Sequence, residues 1–96
     1  MTWIKTTPPM LSDGALRESY EQLRRLYPPE YKDAVPALVR PDGTSDSIVE
    51  AHSLLPEVML HIFSAHAQLL SPTLPLSRRQ HEMISTVVSQ ANRCFY

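Results

Sequence analysis

Several routes to function are closed by what the chain does not contain. One cysteine in 96 residues excludes an internal disulfide framework and fits a reducing compartment. Charge of one sign is missing too. Nine Lys and Arg stand against ten Asp and Glu, a net charge of −1 with no block or stripe of either sign, so nucleic-acid binding has no electrostatic support. No apolar run approaches the ~20 residues that span a bilayer, and the N-terminus lacks a signal-peptide layout; a soluble, cytoplasmic protein is expected. There is no internal repeat, no low-complexity tract and no strand-like alternation. A His-Glu-x-x-His zinc pattern is absent as well, and His61 and His66, five residues apart, do not share a helical face, so neither metal nor cofactor is expected.

What is present is helical. Ninety-six residues allow one domain with a modest core, here read as a single all-α unit over 1–96 with about four helices. Residues 1–12 form an extended arm in which Pro8 and Pro9 forbid a helix and Trp3 and Ile4 are the anchors. Ser12 or Asp13 caps a first helix whose stripe is Leu16, Tyr20, Leu23 and Tyr27, with Glu21 and Arg25 paired outside it. Residues 28–45 hold four of the nine prolines and read as a rigid loop with one short turn over 30–34. Asp46 or Ser45 caps a short second helix through His52. Pro56 opens a third, running to about Leu70, which is apolar almost all round and therefore expected at the centre of the fold.

The last stretch, Leu76 to Tyr96, has the clearest helical period. Ser77 followed by Gln80 is a capping-box pattern, so a helix starts near Arg78. Met83, Ile84, Val87, Val88 and Ala91 then share one face, expected to be core, and Glu82 lies almost diametrically opposite. The face around Glu82 carries Ser85, Thr86 and Ser89 rather than Lys and Glu, as suits a helix covered on its polar side too. Asn92, tolerant of left-handed geometry, supplies the stop. On spacing alone, Glu82 reads as a solvated helix residue, Cys94 as a small hydrophobe, His66 as a core histidine, and His52, His61 and His81 as surface or boundary residues.

The fixed residues of this stretch carry a resemblance. Leu76, Ser77, Glu82, Met83, Ile84, Val88, Ser89, Asn92, Cys94 and Tyr96, with His52-Ser53-Leu54-Leu55-Pro56-Glu57 upstream, resemble the alkylhydroperoxidase-D-like, peroxidase-related branch of the carboxymuconolactone decarboxylase superfamily. In that branch a second cysteine directly follows the position of Tyr96, and a histidine follows a few residues later. The resemblance covers roughly residues 48–96, within a family-like core of 46–96. It implies the N-terminal portion of an alkylhydroperoxidase-D-like helical domain whose natural chain continues past Tyr96.

By the same resemblance the function is thiol-dependent reduction of hydroperoxides by a Cys-x-x-Cys pair of which Cys94 is the first. Cys94 takes the resolving role and Glu82 the proton-relay role, while the peroxidatic cysteine and the histidine match no position here. The implied partners are a peroxide substrate and an external dithiol reductant. A homo-oligomer is also expected, with trimer or hexamer implied by the resemblance and a dimer left open. Twelve residues at 1.5 Å each put Glu82 and Cys94 ~18 Å apart on a straight helix, too far for proton transfer, so the chain must turn after Asn92 and return along the Glu82 face. The alternatives are a non-catalytic helical oligomerisation or interaction module, a relative of the cysteine-free decarboxylase branch, and an inactive truncated member.

Overall fold

The computed structural model describes residues 3–33, 35–42 and 47–94. Three α-helices carry the architecture: α1 (Gly14–Leu26), α2 (Pro56–Leu69) and α3 (Arg78–Ala91). Short 3₁₀ turns at Pro9–Leu11, Pro29–Tyr31, Pro36–Leu38 and Glu50–His52 connect them. Three of those turns begin on proline, whose fixed φ and missing N–H suit the first position of a helical turn. The proline-rich segments thus contain more helical turns than the sequence suggests, including one in the arm that the sequence reading left extended.

α1 and α2 pack extensively on each other. The predicted stripe of α1 is the one that packs: Leu23 is buried, and Leu16, Tyr20 and Tyr27 lie against the cluster it forms with Met59 and Phe63. Each such side chain removed from water stabilises by about 1.5–3 kcal/mol. Asp13 occupies the cap position, but its side chain makes no capping bond; Gly14 opens the helix at φ +49, a conformation that favours glycine. Glu21 and Arg25 meet at 3.9 Å on the solvent side.

About four helices were expected, and three form among the described residues. The region assigned to the second helix gives only the 3₁₀ turn Glu50–His52. Ser47 is the acceptor there, its Oγ taking the N–H groups of Val49 and Glu50 at 3.2 and 3.3 Å; the predicted caps Ser45 and Asp46 lie outside the described residues. Pro56 explains why the turn does not grow. It pushes Leu55 to φ −123, ψ 79, away from helical backbone, as the residue before a proline must be.

α2 is one-sided rather than central. Met59, Phe63 and Ala67 are buried in a row at every fourth position, whereas Val58, Ile62 and Leu69 stand about half exposed. The arm is anchored through Thr7, not through Trp3, which is fully exposed. The Thr7 N–H donates to Ser53 Oγ at 2.8 Å, and its carbonyl accepts from Tyr20 Oη at 2.7 Å. One residue of the arm thereby ties α1 to the end of the Glu50–His52 turn. Burial first, and then nearby Glu50, push the Tyr20 phenol up to about 12.

Candidate functional site

α3 begins as its sequence requires. The Gln80 N–H donates to Ser77 Oγ at 3.2 Å, the Ser77 N–H donates to Gln80 Oε1 at 2.8 Å, and the capping box is complete. This fixes the orientation of the first turn, and the first turn is where α3 meets the rest of the molecule. Arg78 Nε donates to Glu82 Oε1 at 2.7 Å, and Arg78 Nη1 lies 3.1 Å from Glu30 Oε1. The guanidinium carbon sits 3.9 Å above the Tyr31 ring, a stacked geometry that favours arginine. Tyr31 Oη closes the cluster by donating to Glu82 Oε1 at 3.1 Å. A latch of four side chains therefore joins the Pro29–Tyr31 turn to α3.

The electrostatics follow from the bonds. Arg78 and then Tyr31 hold the Glu82 carboxyl below the usual carboxylate range, so it is anionic at neutral pH and accepts protons reluctantly. Burial, followed by the bond to Glu82, raises the Tyr31 phenol. Thr86 Oγ1 is turned back onto the Glu82 carbonyl at 2.7 Å and is committed to its own backbone.

Two of the four histidines differ from expectation, His66 and His81, while His52 and His61 lie at the boundary and the surface as expected. His81, expected at the surface or boundary, is buried, and its Nε2 has no hydrogen-bond partner among the described residues. It is the one buried residue of α3, whereas Glu82, Ser85, Thr86 and Ser89 on the polar face are exposed, so the expected covering of that face is limited to the first turn. His66, predicted in the core, is exposed and shares a 3.0 Å hydrogen bond with Tyr27 Oη; it sits one position from the buried Ala67, at the edge of the stripe that meets α1. His52 packs edge-on against Phe63 with ring centroids 5.1 Å apart. His61 is exposed and pairs weakly with Glu57 at 3.9 Å.

The larger reversal concerns the face assigned to the core. Met83, Ile84, Val87 and Val88 are 53%, 52%, 64% and 52% exposed, and among the described residues α3 packs extensively on neither α1 nor α2. The periodicity located an apolar face correctly, but a face that nothing in these residues covers.

At the other end, α3 closes with a Schellman motif. Cys94 N–H donates to Ser89 O at 2.9 Å and Arg93 N–H to Gln90 O at 3.0 Å, the two bonds that define it. The left-handed residue is Arg93, at φ 51, and not Asn92, which stays right-handed at φ −81. Cys94 follows directly and is exposed. Glu82 and Cys94 are not brought together by α3: Glu82 lies about 14 Å along the axis from the end of the helix at Ala91, and Cys94 follows the turn beyond it.

Elsewhere, a groove of about 290 Å³ lies between the end of α1, the Pro28–Pro29 turn and the end of α2, with Leu26, Ala67 and Pro72 on its walls. Among the described residues no three His, Cys, Asp or Glu side chains gather as a metal site, and no helix is long and apolar enough to cross a membrane. The latch partners Glu30 and Tyr31 were not singled out from sequence; the spacing of four between Arg78 and Glu82 could have signalled that pair, but no local pattern points to Glu30 and Tyr31. The chain matches no family model, no curated protein and no solved structure.

Proposed function

We propose that this chain is the helical, thiol-bearing part of a peroxidase-related antioxidant protein of the alkylhydroperoxidase-D-like kind. The observation that supports the reading is the helix stop. A Schellman motif reverses the chain at Arg93 and leaves an exposed thiol on the very next residue, as a cysteine at the mouth of a returning segment requires. At the opposite end of the same helix Glu82 is held as a carboxylate by Arg78 and Tyr31.

In the cycle a peroxidatic thiolate attacks the hydroperoxide. The O–O bond breaks, alcohol leaves with a proton, and the sulfur becomes a sulfenic acid. Cys94 then displaces water from that sulfur to form a disulfide, and a dithiol donor returns both electrons. With one cysteine in 96 residues, the peroxidatic thiol must come from outside this sequence. Glu82 serves the thiolate as a proton acceptor once Arg78 releases it, which links relay activity to the opening of the latch.

The test is peroxide consumption coupled to a dithiol, measured for this chain and for a variant with one cysteine added directly after Tyr96. The extended protein should turn over, Cys94→Ser should stop its recycling, and Glu82→Gln should slow it about ten-fold, the usual scale of a lost acid–base group at its lower end or below. An extended protein no faster than free thiol removes the reading. The exposed apolar face of α3 favours one alternative, a helical association module in which Cys94 makes at most an intermolecular disulfide.

A further inference from the structure

We infer that the groove between the ends of α1 and α2 is a binding site for a small organic cation, a short aliphatic amine whose ammonium sits at Glu30 and whose carbon chain lies along the apolar walls. The site is independent of the thiol reading of Cys94.

The path of the chain makes the groove. α1 stops at Leu26 because Pro28 and Pro29 follow, and Tyr27 before them is already extended at φ −73, ψ 141. The last turns of α2 are therefore only partly covered. The side chains they present there, Ser64, Ala67 and Gln68, with Ser71 just beyond, are mostly small, and about 290 Å³ stays open. That volume is at the lower end of small-molecule pockets. Leu26 and the prolines supply apolar walls, and the buried Ala67 supplies the floor.

Electrostatics select the occupant. α1 and α2 run in the same direction: Tyr20 lies toward the start of α2, where Thr7 links it to Ser53, and Tyr27 meets His66 near the end of α2. Both C-termini consequently meet at the groove, and both helix dipoles turn their negative ends toward it, where cations are stabilised. Glu30 is the one charged residue on the lining. The cations nearby are absent from that lining: Arg25 pairs with Glu21, and His66 is engaged by Tyr27. Glu30 shares Arg78 with Glu82, so two carboxylates stand on one guanidinium and the group keeps a net negative charge. The Ser64 hydroxyl and the Gln68 side chain, with no hydrogen bond among the described residues, add acceptors along the walls.

The position of Glu30 gives the site a consequence. It belongs both to the groove wall and to the latch, so an ammonium at its carboxylate competes with Arg78. Linkage is reciprocal: the factor by which Arg78 weakens amine binding is the factor by which the amine weakens the grip on α3.

Titration of the ¹⁵N-labelled full chain with n-hexylammonium should give saturable amide shifts centred on Leu26, Glu30, Ser64, Gln68 and Ser71, with hexan-1-ol and hexanoate binding at least about ten-fold more weakly. Glu30→Gln should weaken the amine about ten-fold or more, the scale of a lost charge-assisted hydrogen bond. Arg78→Gln should tighten it about five-fold or more, the lower end of ordinary couplings, and saturating amine should speed hydrogen exchange in the first turn of α3. Ser64→Leu fills the groove while leaving every charge in place and should abolish binding; circular dichroism checks that each variant keeps its helices. No saturable shift with any probe, hexan-1-ol binding as well as hexylammonium, or an affinity indifferent to Glu30→Gln overturns the inference. Nα-acetyl-lysine methylamide binding more tightly than hexylammonium overturns the free amine in favour of a lysine on a partner protein. None of these outcomes depends on peroxide turnover, so the catalytic reading can fail while this one stands.

Discussion

α1 and α2 are held together by what they exclude, and α3 is held by what it offers. The first pair closes around Met59, Phe63 and Leu23, three side chains with almost no remaining exposure. α3 carries more apolar side chains than polar anchors, yet it is fastened by Arg78, Glu82, Glu30 and Tyr31 while its apolar face points to solvent. The two contacts differ in reach. Apolar packing distributes stabilisation along a helix, while a latch in the first turn leaves the remaining turns to their own propensity, which is marginal for a helix of 14 residues. The chain therefore contains one helix pair closed around an apolar core and one helix held at its first turn by polar side chains.

Breaking the first half of the comparison should produce the largest effect. Phe63→Ala removes a ring buried between α1 and α2 and should cost about 3–5 kcal/mol in denaturant unfolding, a large part of the stability of a domain this size. Ser77→Ala removes the cap that orients the latch and should cost about 1 kcal/mol. The loss should appear as faster hydrogen exchange in α3, with α1 and α2 amides little changed. Equal acceleration in all three helices would mean that α3 is part of the core unit after all.

pH sharpens the contrast further. Glu82 has a depressed pKa in the folded state, so its contribution is present above the carboxylate range of the unfolded chain and is lost as pH falls through the folded value. Protection of α3 should fade on acidification while the α1–α2 pair persists, and Arg78→Gln should move the Glu82 midpoint upward in a carboxyl ¹³C titration. At the alkaline limit the opposite sign applies. The Tyr20 phenol is raised from 10.0 to about 12, so its contribution is complete below pH 10 and fades between about 10 and 12. The arm should loosen from α1 across that window, and Tyr20→Phe should remove the step from the phenolate absorbance curve. The smallest effect is the most telling: Val87→Asp, placed on a face that periodicity assigns to a core, should change monomer stability by no more than about 0.5 kcal/mol.

That last expectation shows where sequence reasoning ended. The stripe and start of α1 and the cap and start of α3 were legible because they depend on residues within a turn or two of each other: Leu16 with Tyr20 and Leu23, Ser77 with Gln80. Pro56 was legible as a first-turn proline. The fate of Ser47 to His52 was not, because a serine-capped turn and a short helix share the same opening residues and differ only in whether Pro56 lets the backbone continue. Periodicity also states that a face is apolar without stating what meets it. Met59 and Val87 have the same kind of pattern around them, and only the path of the chain buries one and exposes the other. The latch escaped notice because Tyr31 and Glu82 are 51 residues apart in sequence. At the site, the turn before Cys94 was anticipated, although Arg93 rather than Asn92 makes it.

The single-ended attachment of α3 makes it a lever. Its 14 residues span about 21 Å, so a rotation of about 10° at the Arg78 pivot would displace the Cys94 end by about 4 Å, more than the length of a hydrogen bond. Small changes in how Glu30 and Tyr31 grip the first turn are thereby magnified at the thiol, and the proline-braced segment that carries them acts as the fulcrum.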